Sequence, residues 1–260
     1  MIPFYSNYNI KQTSNWKENT MNNDLNNKRI VITGITGGIA KASTQRLAAQ
    51  GAEIIVTARS EEKLEQALAD LSGNVSGYVM DLQDEESVKM FFSRVGDFDH
   101  LVTPAASSMF APIREMDFTA ARELIESKQW GQMLCVHYAL PYLSKNGSIT
   151  LFSGTVTQKP LPGATMFAAA GAASEASGRI WAYELAPIRV NTIVPGVIET
   201  DIWTSLNGSE EAAKEQMSEI ASILPVGHVG ASDDVAKAVS FLIDNAFVNG
   251  VSLVVDGGHR

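Results

Sequence analysis

Residues 29–40, "RIVITGITGGIA", decide the architecture. The first half is a short β-branched apolar run. From Thr33 to Ala40, "TGITGGIA" turns that run into the helical stretch "GGIAKASTQRLAAQG". A strand that enters a glycine-rich turn and then a helix leaves unpaired backbone amides at the helix N-terminus. With no side chains in the way, the backbone there can approach a pyrophosphate closely. A glycine pattern alone is weak evidence, and its position at the first strand–helix junction gives it weight.

The same alternation continues along the chain. "AEIIVTAR" precedes "SEEKLEQALADL", and "VSGYVM" precedes "DEESVKMFFSRV". "FDHLVT" leads to a long helix from Asp117 to Leu143, and "GSITLFS" to a small-residue helix from Gly163 to Ala186. "PIRVNTIV" leads to "SEEAAKEQMSEIAS"; "SDDVAKAVSFLIDN" and "VSLVVD" close the series. Apolar strands covered on both faces and alternating with helices predict an α/β fold. The expected form is a doubly wound parallel sheet of about seven strands, Rossmann-like, in three α/β/α layers. One domain is expected over residues 28–260. Residues 1–27, polar and Asn-rich without periodicity, read as a disordered, dispensable leader in which Met21 is an alternative natural start.

Composition bounds the partners. The 260 residues carry a net charge of −9, which argues against the basic face that a nucleic acid or an anionic membrane needs. The single cysteine, Cys135 in "GQMLCVHYAL", rules out an intrachain disulfide and reads as a buried inert thiol. The four histidines show no metal-binding spacing, so no metal is expected. Lacking an apolar run of membrane-spanning length, the chain reads as cytoplasmic.

Further segments follow in order: "MDL" around Asp81, "ELAPIRVN" at 184–191, "PGVIETDI" at 195–202 and "VDGG" at 255–258. With "TGITGGIA", these make the chain from about Lys28 to Gly258 resemble the short-chain dehydrogenase/reductase family, classical type. The resemblance implies a nicotinamide cofactor, a small-molecule substrate and a homo-oligomer, tetramer or dimer. It places Gly34, Thr36, Gly37, Gly38 and Ile39 in the phosphate turn, with Ala40 where the family has its last glycine. Asp81 corresponds to the residue that holds the adenine amino group, and Leu82 to a backbone contact. Ala105 belongs to "TPAA" at 103–106, which replaces the family's Asn-Asn-Ala-Gly and loses amides that brace the central strand. Pro195, Gly196, Ile198 and Thr200 correspond to the wall around the nicotinamide carboxamide.

The second strand ends "VTARSEEKL". An NAD-preferring fold usually has a carboxylate here for the ribose hydroxyls, and a cation accommodates the extra phosphate of NADP. Ala58 supplies no acid, Arg59 a guanidinium and Ser60 a donor, which favours NADP(H) over NAD(H). The alternative is that Arg59 is an ordinary solvated loop residue.

The departures lie in "ATMFAAAGAASEA", residues 164–176. Phe167 occupies the slot of the family's catalytic Tyr and Gly171 that of its Lys; the Ser slot falls at Gly154 beside Ser153, and the Asn slot near Lys128. No tyrosine lies between Tyr142 and Tyr183, and no lysine between Lys159 and Lys214, so no shift of alignment restores the pair. Two readings of Lys128 stand. It reaches into an empty lane left at Gly171, as a replacement cation or acid, or its stem follows the helix with the ammonium in water. Ser153 and Thr155 are candidate substrate hydroxyls, and Phe152, Met166, Phe167 and Trp203 suggest an apolar or aromatic ligand.

The expected function is an NADPH-dependent oxidoreductase that passes a hydride to a small apolar carbonyl, quinone, enone or imine through a non-standard site. The alternatives are an inactive NADP-binding sensor or partner protein, and a non-redox isomerase or lyase on the same scaffold.

Overall fold

The computed structural model describes residues 25–105, 107, 109–200, 203 and 208–260. Met21 and the leader through Asp24, together with Ala106, Asp201 and Ile202, lie outside the described residues.

Seven strands form one parallel sheet in the order β3-β2-β1-β4-β5-β6-β7. They are β1 Arg29–Ile32, β2 Glu53–Ala58, β3 Val75–Val79, β4 Phe98–Val102, β5 Leu143–Phe152, β6 Arg189–Pro195 and β7 Ser252–Val255. The helices are α1 Gly38–Ala49, α2 Glu61–Ala69, α3 Glu85–Val95, α4 Phe118–Ile125, α5 Gly131–Ala139, α6 Thr165–Glu184, α7 Glu210–Ile223 and α8 Ser232–Asp244. Strand order reverses between β1 and β4, so the crevice beyond their C-terminal ends is where a doubly wound sheet takes its ligand.

The alternation of side chains along each strand feeds two cores. Ile30, Ile32, Ile54 and Val56 pack on one face with Leu47 of α1 and Val239 of α8; Val31, Ile55, Leu101 and Ile149 pack on the other with Phe91 and Phe92 of α3. Arg46 of α1 clasps both carboxylate oxygens of Asp233 on α8, with nitrogen–oxygen distances of 2.7 and 2.8 Å.

Two expectations change. The helix expected from Asp117 to Leu143 is α4, a wide π turn over Glu126–Trp130, and α5. It ends at Ala139 because Pro141 lacks the amide that would continue it, and Leu143 already belongs to β5. The folded unit also takes in Leu25–Asn27, which composition alone assigns to the leader. Leu25 is buried and its amide donates to the Gln50 carbonyl at 2.8 Å. No helix among the described residues is long and apolar enough to cross a membrane.

Candidate active site

A cleft of about 650 Å³ opens at the strand ends beside the switch point. Its floor begins at the β1–α1 turn. Gly34 has φ +72°, and a Cβ there would stand 2.5 Å from the Cβ of Ala105, so the turn packs directly on the end of β4. Gly37 is the N-cap of α1, without a side-chain cap and with no acid in the first turn. By contrast, α2, α3 and α7 are capped by Ser60, Asp84 and Ser209. The first amides of α1 are therefore left for solvent or an anion. A Cβ on Gly37 would meet nothing nearer than 3.7 Å, so space is open at that position.

Gly34, Thr36, Gly37, Gly38, Ile39, Arg59, Asp81, Leu82, Ala105, Pro195, Gly196, Ile198 and Thr200 all line this cleft. Ser60 does not. Its hydroxyl accepts from the Lys63 amide at 3.4 Å as the cap of α2, a local bond that a serine before a helix makes readily. In its place stands Lys63, one helical turn beyond Arg59, a cation that no sequence motif singles out. Among the described lining residues, Arg59, Lys63, Lys128 and Lys159 face one acid, Asp81. In a chain of net charge −9, that imbalance marks the cleft for an anionic ligand.

The floor of the other end is built on the π turn, where the Gly131 amide bonds to the Glu126 carbonyl five residues back. Gln132 Nε2 donates to the Lys128 carbonyl of that turn at 2.6 Å. Gln132 is a hub: it also reaches the Phe152 carbonyl and Ser174 Oγ, while its Oε1 accepts from Thr103 Oγ1 and the Phe152 amide, both at 2.8 Å. This one buried amide braces β4 and β5 where "TPAA" lacks the family's asparagines.

Lys128 is 3% exposed, and its stem does not lead to water. Nζ donates to the Ser153 carbonyl at 3.3 Å and sits 4.3 Å from the centroid of the Phe167 ring, an ammonium over an aromatic face. Burial pushes its pKa down to about 8. Phe110 stacks on Phe167 with centroids 5.7 Å apart. Gly171 leaves no empty lane: a Cβ there would meet Ser153 Oγ at 2.8 Å and Thr157 Cγ2 at 3.0 Å. The missing side chain is compensated by inward packing of β5 and the turn that follows it. Gly171 lies outside the cleft lining, as does Met166, whereas Ser153, Thr155, Phe152, Phe167 and Trp203 line it. Glu175, a residue that the sequence motifs leave aside, is buried and accepts from both Ser153 Oγ and Thr157 Oγ1. Cys135 is fully buried and its thiol pKa is pushed up by burial.

A doubly wound parallel sheet with an uncapped glycine helix start over a cation-rich cleft defines a Rossmann domain. The family described as Enoyl-(Acyl carrier protein) reductase matches residues 34–260. The 3-oxoacyl-(acyl-carrier-protein) reductase FabG of Thermotoga maritima is 32% identical over 250 residues, 90% of this chain and 98% of that protein. A cis-4-hydroxycyclohexanecarboxylate dehydrogenase of Sinomonas cyclohexanicum is 31% identical, covering 88% of this chain and 95% of its own. Among solved structures, a small-chain dehydrogenase in complex with NADPH superimposes with a TM-score of 0.78 at 31% identity, over 89% of this chain and 98% of that one. The chain belongs to the short-chain dehydrogenase/reductase family.

Proposed function

We propose that this protein is an NADPH-dependent reductase of a small apolar carbonyl, quinone, enone or imine, with Lys128 in place of the family's Tyr–Lys pair. The observation that carries the reading is the Lys128 ammonium, buried in the cleft against the face of Phe167. The residues present suit NADP(H), and one structural relative is a complex with NADPH. The open start of α1 would hold the pyrophosphate, and Arg59 and Lys63 would hold the additional ribose phosphate, with Ala58 offering no competing acid. Asp81 would hold the adenine, and Pro195, Gly196, Ile198 and Thr200, which line the same cleft, would wall the carboxamide.

When bound, the reduced nicotinamide supplies a hydride to the substrate carbon. Lys128 donates a proton to the oxygen, so that C=O becomes CH–OH, and the neutral amine regains a proton from water. A pKa of about 8 keeps both forms populated near neutrality, as an acid that must be recharged requires. Phe167 supplies a flat wall and no proton. We also read the protein as a homo-oligomer joined through α6, α4 and the π turn, where Ile180, Tyr183, Phe118 and Trp130 expose large apolar surfaces.

Loss of NADPH absorbance against a panel of apolar ketones, quinones, enones and imines tests the reading. Consumption with at least one class, abolished in Lys128→Met, is expected. Tight NADPH binding without consumption by any of them would instead indicate a cofactor-binding protein without turnover.

A further inference from the structure

Gly154 follows Ser153 at the end of β5, and a glycine leaves the peptide plane between the two residues free to turn. The oxygen of that plane is the Ser153 carbonyl, which accepts from the Lys128 ammonium at 3.3 Å. A Cβ on Gly154 would stand 3.3 Å from the Phe167 ring, the same ring that covers the ammonium. The aim of this carbonyl therefore has to be fixed by something other than a stiffer residue at 154.

The strand side is held by β6, where the Ile193 carbonyl takes the Ser153 amide at 2.9 Å. The other side is held by α6. Oε1 of the buried Glu175 accepts from Ser153 Oγ at 2.7 Å and from Thr157 Oγ1 at 2.8 Å, while the Thr157 amide closes on the Gly154 carbonyl at 3.1 Å. One carboxylate oxygen thus ties both flanks of the glycine to a single point on a helix. Gly171 lies one turn earlier on the same face of α6. A Cβ there would meet Ser153 Oγ at 2.8 Å and Thr157 Cγ2 at 3.0 Å, so its bare backbone is what lets the turn come within reach of Glu175.

Resting on the reductase reading, we infer that Glu175 is a positioning residue for Lys128: it clamps the Ser153–Thr157 turn through both hydroxyls and so aims the Ser153 carbonyl at the ammonium. Glu175 lies outside the cleft lining and acts through the backbone. An acceptor oxygen does this work, and burial is the cause of the low Lys128 pKa. A carbonyl acceptor favours the protonated amine, so releasing it lowers that pKa further.

The test follows the Lys128 ammonium by nitrogen NMR titration of the full chain with labelled lysine, the signal being assigned by its loss in Lys128→Met. Turnover of a ketone with NADPH is measured beside it. In Glu175→Met the Lys128 pKa is expected to fall from about 8 by roughly one unit. The same variant is expected to lose about ten-fold in kcat with KM little changed, the signature of a misplaced proton donor. Glu175→Gln keeps an acceptor oxygen and is expected to recover most of both losses. Ser153→Ala and Thr157→Val keep the carboxylate and each remove one arm of the clamp, so both are expected to move the titration in the direction of Glu175→Met. They carry the test if Glu175→Met does not fold. An unchanged titration in Glu175→Met, or in both hydroxyl variants, overturns the inference. So does a Glu175→Gln that behaves like Glu175→Met, which would trace the effect to charge. Titrations that shift as expected, without NADPH consumption by any of these proteins, uphold the clamp and remove the reductase reading. Consumption with an unshifted titration does the reverse.

Discussion

Lys128 Nζ stands 4.3 Å from the centroid of the Phe167 ring, so the cation and the aromatic face of the site come from two different helical segments, the π turn and α6. Burying that ammonium has a stability consequence. Its pKa falls from 10.5 to about 8, which corresponds to roughly 3 kcal/mol of differential interaction. Between those values the unfolded chain holds a proton that the folded one does not, so this group's penalty is full below pH 8 and fades as pH rises toward 10.5. Lys128→Met is expected to raise stability by up to about 3 kcal/mol near neutrality, with the gain nearly gone above about pH 10. Urea melts at both pH values measure it. A gap that does not change with pH would show the lysine to be solvated.

Restoring the family pair is expected to fail structurally at Gly171. A glycine-to-alanine change within a helix ordinarily stabilises by up to about 1 kcal/mol. Here the new Cβ meets Ser153 Oγ at 2.8 Å and Thr157 Cγ2 at 3.0 Å. Gly171→Ala is therefore expected to destabilise by about 1–3 kcal/mol, the usual cost of overpacking. The Phe167→Tyr, Gly171→Lys double variant should melt lower and reduce substrate more slowly than Phe167→Tyr alone, since it also brings a second ammonium toward the first. Thermal melts of the three variants check the order.

For the cofactor, Arg59→Ala is expected to weaken NADPH by roughly ten-fold or more, and the more flexible Lys63→Ala by a few-fold, with NADH nearly unchanged in both. Calorimetric titration of each variant with both cofactors gives the answer. Equal affinity of the wild type for NADPH and NADH would remove the basis of the cofactor assignment.

His100 gives the protein an acid-sensitive joint. It is buried on β4 opposite Ser148 of β5, with Nδ1 2.8 Å from Ser148 Oγ, and burial pushes its pKa down to about 4. As pH falls from 6.5 toward 4, the unfolded chain takes up a proton that the folded one refuses, and stability is lost by roughly 3 kcal/mol. His100→Asn keeps a partner for Ser148 and does not titrate in that range. Its urea midpoint should fall less steeply with pH than that of wild type.

The sheet is legible in the sequence because its signals are local: β-branched runs, helix periodicity, and a glycine turn that joins the first strand to the first helix. The cofactor end follows for the same reason. Ser60 is less legible, because a hydroxyl before a helix serves as cap, ligand or both, and here its oxygen accepts from the Lys63 amide outside the cleft lining. The reacting end is less legible because its geometry is tertiary. At Gly171 a sequence shows the missing side chain but not the neighbours that move in to fill its place. No local pattern announces the extra residue in the π turn, Gln132 bracing two strands, or Glu175 turning inward from an alanine-rich helix toward Ser153.

The role of Lys128 is decided by the pH dependence of kcat/KM for NADPH-driven reduction in wild type and Lys128→Met. With Lys128 as proton donor, the wild-type rate should hold up to neutrality and fall ten-fold per pH unit above a pKa near 8, as the ammonium that protonates the product is lost. Lys128→Met should lose on the order of a hundred-fold or more and show no such limb. A variant that reduces substrate at the wild-type rate, with the wild-type pH profile, would contradict the assignment of Lys128 as the acid of this site.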